Sequence, residues 1–302
     1  MDYTVGNVNI AKVINNRSEI YSDGDIELEI LKRVQQEGFN ESEFVNNDDR
    51  WDVLYHFSKN RWNLLDWYPF NTQSNLLEIG AGCGALSGLF CEKVRRVHAL
   101  EMSERRAKIL AYRHKNRKNL DVIIANLHDF NYQEKYDYVT LIGVLEYAGK
   151  FSDDLNNPYK SLLVKTSKLL KSNGTLLVAI ENKFGLRYWA GCKEDHTGNL
   201  FEGIEGYRFN RGIKTFSIKE IKNLLIDAGF NQIKMYYPYP DYKLPEVIYS
   251  DNYLPSIGEL YNYLNYERDR YVFFNEKNVL NEIIRDNEFP MFSNSFLIEA
   301  SL

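Results

Sequence analysis

The chain has 302 residues, of which 44% are hydrophobic and 26% are charged, and its formal net charge is −5. This composition is typical of a globular protein, and the sequence lacks a run of about 18 apolar residues that could cross a bilayer. The negative net charge argues against binding along a nucleic-acid backbone. The first residues lack the basic start and apolar core of a secretory signal, so we expect a cytoplasmic protein without membrane insertion. The three cysteines, Cys83, Cys91 and Cys192, have no metal-site spacing and are expected to be reduced thiols.

Residues 1–74 are predicted to form a mostly helical cap region. Apolar residues recur at helical spacing between Trp51 and Tyr68, which indicates helices that pack beside the first strand of the following domain. A second, compatible interpretation is that this region also lids a substrate cleft.

From residue 75 to residue 302 the sequence is typical of a single α/β domain. Short apolar runs alternate with amphipathic stretches of about 12 to 15 residues, which is the pattern of βαβ units. Seven strands are predicted, at residues 76–79, 97–100, 122–125, 136–142, 174–180, 232–237 and 294–300. The predicted fold is therefore a doubly wound, mostly parallel, seven-stranded Rossmann-like sheet. Two insertions are expected, a substrate loop at about 183–213 and a helical segment at about 243–288.

A glycine-rich loop follows the first of these strands and opens a helix. Gly80, Gly82 and Gly84 would allow a tight turn and a close approach of the backbone to a ligand. With Ala85 the same loop also satisfies G-x-G-x-x-A, so a nicotinamide or flavin cofactor stays open on the loop alone.

The run from Glu78 to Gly84, E-x-G-x-G-x-G, resembles the first motif of class I S-adenosylmethionine (SAM)-dependent methyltransferases. Glu101 ends the second strand about 20 residues later, where a carboxylate can accept both ribose hydroxyls. The apparent antiparallel hairpin at the end of the chain is similar to the sixth and seventh strands of that family.

The resemblance implies SAM as the cofactor and gives several residues a role. Glu78 would help to hold its methionine end, and Asn126 and Leu127 would meet the adenine where an Asp is commonest. Gly143 and Val144 would lie in the segment that runs beneath the cofactor.

The loop after the fifth strand carries an unusual mixture of side chains, and ligands of such sheets bind beyond the carboxyl ends of the strands. We predict His196 as the base that removes a hydroxyl proton, with Asp195 or Glu194 orienting it or acting in its place. Candidate substrate-binding residues precede them: Asn182, Lys183, Arg187, Tyr188 and Trp189. A metal at Glu194, Asp195 and His196 is disfavoured because adjacent side chains diverge, and we predict none.

The sequence therefore predicts a SAM-dependent methyltransferase that acts on a hydroxyl, less readily an amine, of a small molecule or glycan. The loop at 181–196 and the Tyr-rich run at 236–242 resemble bacterial methyltransferases associated with surface-polysaccharide biosynthesis. Two alternatives stay open: a nicotinamide-dependent oxidoreductase, and a methyltransferase-fold protein that binds SAM without turnover. The sequence leaves the acceptor, the help of a divalent metal and the oligomeric state undetermined.

Overall fold

A computed structural model describes residues 2–13, 24–130, 133–152, 154–208, 212–261 and 270–302. The chain forms two compact units, which are described separately. The first comprises residues 1–141 and 169–175, and the second comprises residues 142–168 and 176–302.

The first unit holds a parallel sheet edged by an antiparallel hairpin. Its strands lie in the order β1-β2-β5-β4-β3-β6, with β2, β5, β4, β3 and β6 parallel to one another. Its elements are β1 (Tyr3–Val5), β2 (Val8–Lys12), α1 (Asp25–Val34), α2 (Glu41–Asn46), α3 (Trp51–Phe57), a 3₁₀ helix (Lys59–Leu64), β3 (Asn75–Ile79), α4 (Ser87–Lys93), β4 (Arg96–Glu101), α5 (Glu104–Arg113), β5 (Leu120–Ile124) and β6 (Tyr136–Ile142).

Strand β3 is buried along its whole length, as expected of a central parallel strand covered on both faces. Because β3, β4 and β5 are parallel, their carboxyl ends share one edge of the sheet. That edge carries the glycine loop after β3, Glu101 at the end of β4 and Asn126 just after β5.

The helices before β3 pack against the glycine loop and α5. Ile30 of α1, Val53 and Phe57 of α3, Cys83 of the loop and Ile109 of α5 belong to one buried cluster. The helices before β3 therefore form an apolar layer that packs against the loop.

The second unit carries strands in the order β7-β10-β8-β9, with β8 antiparallel to both β10 and β9. Its elements are a 3₁₀ helix (Leu145–Tyr147), α6 (Ala148–Phe151), α7 (Pro158–Ser167), β7 (Leu170–Glu181, whose first six residues belong to the first unit), α8 (Leu186–Trp189), α9 (Ile218–Asp227), β8 (Gln232–Tyr239), β9 (Val247–Ser250), α10 (Glu276–Arg285), α11 (Phe289–Phe292) and β10 (Ser295–Ser301). The predicted helix after Ser217 has its capping box, with Ser217 and Glu220 each bonded to the other's backbone amide.

All seven predicted strands are present, but the expectation of a seven-stranded, mostly parallel sheet is corrected, since the described residues form ten strands in a mixed arrangement. The hairpin β1–β2 was missed because its strands have three and five residues, too few for a clear alternation. Strand β9 lies in the segment expected to be helical, which also contains helix α10. Residues 14–23, 209–211 and 262–269 of the predicted cap and insertions lie outside the described residues.

Among the described helices, none combines the length and apolar character needed to cross a bilayer.

Helix α1 is fixed to α5 by a buried ion pair, which makes a testable contribution to stability. Arg106 Nε donates to Glu27 Oε1 over 2.7 Å, and the Glu27 side chain is fully buried. Glu27→Gln should lower the free energy of unfolding by about 3 kcal/mol, because the buried guanidinium of Arg106 loses the negative charge that balances it. Glu29→Gln on the same helix is the control, since Glu29 pairs with Arg50 at an exposed site and should cost under about 1 kcal/mol. Urea unfolding measures both, and equal losses would contradict this assignment.

Candidate functional site

The glycine loop is held to the neighbouring strand by its own backbone. The amides of Gly80 and Ala81 both donate to the carbonyl of Leu100 on β4, over 2.8 and 3.1 Å, and the amide of Gly84 donates to Ala81 O over 2.9 Å. The turn is therefore closed before any ligand arrives.

Three consecutive carbonyls of this loop each accept a hydrogen bond from a side chain. Arg113 Nη1 donates to Cys83 O over 2.6 Å, His114 Nε2 to Gly84 O over 2.8 Å, and Trp62 Nε1 to Ala85 O over 2.9 Å. Burial, with Arg113 beside it, lowers the pKa of His114 to about 4, so its imidazole is neutral and carries the donated proton on Nε2. These donors fix the orientation of the loop's peptide planes.

Arg113 also connects the loop to the helices before β3. Its Nε and Nη2 donate to the two carboxylate oxygens of Glu41, and its Nη1 donates to His56 O over 2.8 Å as well as to Cys83 O. The guanidinium lies over the ring of Phe57, 4.2 Å from its centroid. The Arg113 side chain is only 3% exposed.

The loop fits a ligand that approaches its backbone closely. Gly82 has φ +56°, and a Cβ added there would meet no protein atom within 4 Å, so the backbone borders open space. Its amide donates to Glu101 Oε2 over 2.8 Å, and the amide of Ser103 donates to Glu101 Oε1 over 2.8 Å. Each carboxylate oxygen keeps a lone pair that can accept a ribose hydroxyl.

Glu78 is the second buried carboxylate of this site. Ser87 Oγ donates to its Oε2 over 2.5 Å. Burial, with the neighbouring charge of Glu101, raises the pKa of Glu78 to about 8. A carboxyl group in this state is ready to ionise when a cationic group reaches it.

The two other predicted cofactor segments lie in different units. Asn126 follows β5 in the first unit and accepts from the amide of His128 over 2.9 Å, next to the buried Leu127. Gly143, followed by Val144, lies in the second unit with φ +68°, and a Cβ there would lie 2.9 Å from Tyr242 Oη. Their contact with a cofactor stays a prediction.

In the second unit, Glu194 fixes the orientation of His196. Its Oε2 accepts the amides of His196 and Thr197 over 2.9 and 2.7 Å, and its Oε1 lies 2.9 Å from His196 Nδ1. Nε2 of the ring lies 3.8 Å from Glu146 Oε1, beyond hydrogen-bond distance. Burial alone would lower the pKa of His196, but the carboxylates of Glu146 and Glu194 outweigh it and raise that pKa well above its ordinary value.

Asp195 belongs to a buried ion-pair network. Its Oδ2 accepts from Arg187 Nη2, from Tyr188 Oη over 2.9 Å and from Lys243 Nζ over 3.2 Å. Arg187 Nη1 also donates to Asp241 Oδ2 over 2.6 Å. Arg187 and Tyr188, predicted to bind substrate, are thus engaged within the protein.

The remaining predicted substrate residues differ in their exposure. Asn182 is fully buried and its Nδ2 donates to the carbonyls of Met291 and Ser293, 2.7 Å each. Lys183 Nζ donates to Glu220 Oε1 over 2.8 Å. Trp189 is 40% exposed and alone among these residues presents a large face to solvent.

Two carboxylates missing from the predicted site set lie next to His196. Glu146 is in the 3₁₀ helix Leu145–Tyr147 and Glu181 is the last residue of β7, and both are buried. A signal existed for Glu181, because a carboxylate that ends an otherwise apolar strand lies at the ligand-binding edge of such sheets.

The family is shown by a match to a family model described as "Methyltransferase domain", which covers residues 50–234. The chain therefore belongs to this family of SAM-dependent methyltransferases, its cofactor is SAM, and the nicotinamide alternative is set aside. Among curated proteins, none matches the sequence.

Solved structures support the same fold at low identity. A SAM-dependent methyltransferase from Clostridium acetobutylicum is 10% identical, with a TM-score of 0.51 over 86% of this chain and 98% of its own. Phosphoethanolamine N-methyltransferase 1 of Haemonchus contortus, solved with phosphoethanolamine and S-adenosylhomocysteine, is 13% identical, with a TM-score of 0.50 over 91% and 48%.

The state of Glu78 predicts a pH-dependent cofactor affinity. If the ionised carboxylate attracts the ammonium of the methionine end, the proton that Glu78 holds below its pKa of about 8 must leave when SAM binds. SAM affinity should then rise between about pH 6 and 7.5, by up to about tenfold per pH unit. Calorimetry in two buffers of different ionisation enthalpy should detect the released proton.

Glu78→Gln should abolish both the pH dependence and the proton release. Glu92→Gln is the control, since Glu92 pairs with Arg117 on the surface and should change neither. A wild-type affinity that is flat over this range would remove Glu78 from the ammonium site.

Proposed function

We propose that the chain binds SAM on the glycine loop of the first unit and transfers its methyl group to a hydroxyl, less readily an amine, of a small molecule or glycan. When bound, SAM supplies a methyl group activated by its sulfonium. The observation that carries the choice of a hydroxyl is the buried His196, held by Glu194 on one ring nitrogen and facing Glu146 with the other.

Each residue of the proposed cofactor site has a separate role. Gly80, Gly82 and Gly84 allow the backbone to approach SAM, Glu101 accepts the ribose hydroxyls and Glu78 faces the methionine end. Asn126 and Leu127 are proposed to meet the adenine, and Gly143 and Val144 to contact the cofactor through their backbone.

A hydroxyl acceptor needs a group that assists removal of its proton, whereas a neutral amine does not. The oxygen becomes a good nucleophile only as its proton is lost, whereas an unprotonated amine already has a reactive lone pair. Side chains positioned to assist that loss are therefore expected where an oxygen is methylated.

His196 is the proposed centre of this assistance. With Nδ1 held by Glu194, Nε2 is the ring nitrogen that makes no hydrogen bond to any described residue. Because the pKa of His196 is raised, the ring has to lose its own proton before Nε2 can take that of the hydroxyl or hold a group that makes the hydroxyl more acidic. Glu194 orients the imidazole, and Asp195, through Arg187 and Lys243, holds the loop in place.

A glycan acceptor is favoured by one exposed aromatic face in the predicted substrate loop. Trp189 is 40% exposed, and such a face suits packing against a sugar ring. The association with polysaccharide biosynthesis and the cytoplasmic location stay hypotheses.

The test is the formation of S-adenosylhomocysteine with matched pairs of sugars that differ only by a hydroxyl or an amine at one carbon. We expect turnover with the hydroxyl member. His196→Ala should lower that turnover by about 10²- to 10⁴-fold with SAM affinity unchanged. Asn199→Ala is the control, because Asn199 is an exposed residue of the same loop.

Faster turnover with the amine member would overturn the choice of a hydroxyl. Full activity of His196→Ala would remove His196 from the chemistry. SAM binding without any product, across all acceptors, would favour the non-catalytic alternative.

A further inference from the structure

Glu146, Glu181 and His196 converge inside the second unit. One ligand atom from each, two carboxylate oxygens and an imidazole nitrogen, lies within 4.8 Å of the other two. We propose that these three side chains bind one divalent cation.

Two carboxylate oxygens in this cluster lack the partners that burial normally demands. Among the described residues, neither Glu146 Oε2 nor Glu181 Oε2 accepts a hydrogen bond, although both atoms are shielded from solvent. The Glu146 side chain is 1% exposed and that of Glu181 is fully buried. An unsatisfied buried carboxylate oxygen is costly, so two of them in one cluster with a histidine indicate a missing positive partner.

The balance of charges around the cluster also favours a bound cation. The surrounding network contains more carboxylates than cations: Glu146, Glu181, Glu194, Asp195 and Asp241 against Arg187 and Lys243. With all five carboxyl groups ionised, even a positively charged His196 would leave two negative charges unbalanced. A single divalent cation would balance them.

The existing contacts of Glu181 engage only one of its two carboxylate oxygens. Lys243 Nζ and Tyr242 Oη both approach Glu181 Oε1, over 3.0 and 3.2 Å, and leave Oε2 for a ligand bond. Atoms that bind one ion at about 2.0 to 2.2 Å lie about 3 to 4.4 Å from one another, so small side-chain rotations suffice.

The type of ligand defines the class of cation. Two carboxylates and one imidazole suit Mn²⁺ or Zn²⁺ better than Ca²⁺, which prefers an all-oxygen set. Only the role of the cation rests on the proposed function: an acceptor hydroxyl bound to it would be more acidic. In that case His196 acts as a ligand, and the proton of the hydroxyl passes to water.

The experiment titrates Mn²⁺ into the full-length protein without SAM or acceptor, and follows loss of the free-ion EPR signal. We expect one saturable site per chain. Glu181→Gln should weaken binding about tenfold or more, and Glu146→Gln/Glu181→Gln should abolish it. Glu202→Gln is the control, a nearly buried carboxylate that accepts from Asn199 Nδ2. Circular dichroism verifies that each variant is folded.

A second readout is the melting temperature, which Mn²⁺ should raise in the wild type and not in the double variant. Absence of saturable binding in the wild type, or equal binding in the folded double variant, would overturn the inference. Turnover without Mn²⁺ binding would leave the proposed function standing and remove the cation site. Mn²⁺ binding without turnover on any acceptor would keep the site and reject the proposed function.

Discussion

The structure of the proposed cofactor site depends on the hydrogen bonds that anchor the carbonyls of the glycine loop. Arg113, His114 and Trp62 each hold one carbonyl, so the peptide planes are oriented before a ligand binds. Glycine makes such a turn possible but also costs chain entropy, and these donors offset that cost. Because Arg113 also binds Glu41 and His56 O, the helices before β3 are part of the loop's support.

The second unit is governed by a different constraint, which is an excess of buried negative charge. Arg187 and Lys243 neutralise part of it through Asp195, Asp241 and Glu181. The negative charge that they do not balance lies around Glu146, Glu181 and His196. The proposed activation of the acceptor and the proposed cation site therefore involve the same side chains.

Sequence patterns predicted much of the fold and little of the second site. The alternation of apolar runs with amphipathic stretches predicted seven strands. The spacing from Gly80 to Glu101 predicted that the glycine loop and Glu101 lie at one edge of the sheet, where the amide of Gly82 donates to the Glu101 carboxylate. Short strands such as β1 and β9 carry too few residues for a recognisable period. The pairing of Arg187 with Asp241 and of Lys183 with Glu220 could not be predicted, because these partners lie 54 and 37 residues away in the sequence. Long-range ion pairs of that kind leave no local pattern.

The most direct measurement of the central claim, that this loop carries SAM, is calorimetric affinity for SAM in Gly82→Val beside Gly38→Val. Both glycines have positive φ, and a Cβ at either meets no protein atom within 4 Å, so both variants carry similar backbone strain. We expect Gly82→Val to lose SAM affinity about tenfold or more and Gly38→Val to keep it, because only the first side chain would enter the ligand's space. Wild-type affinity in a folded Gly82→Val would contradict it.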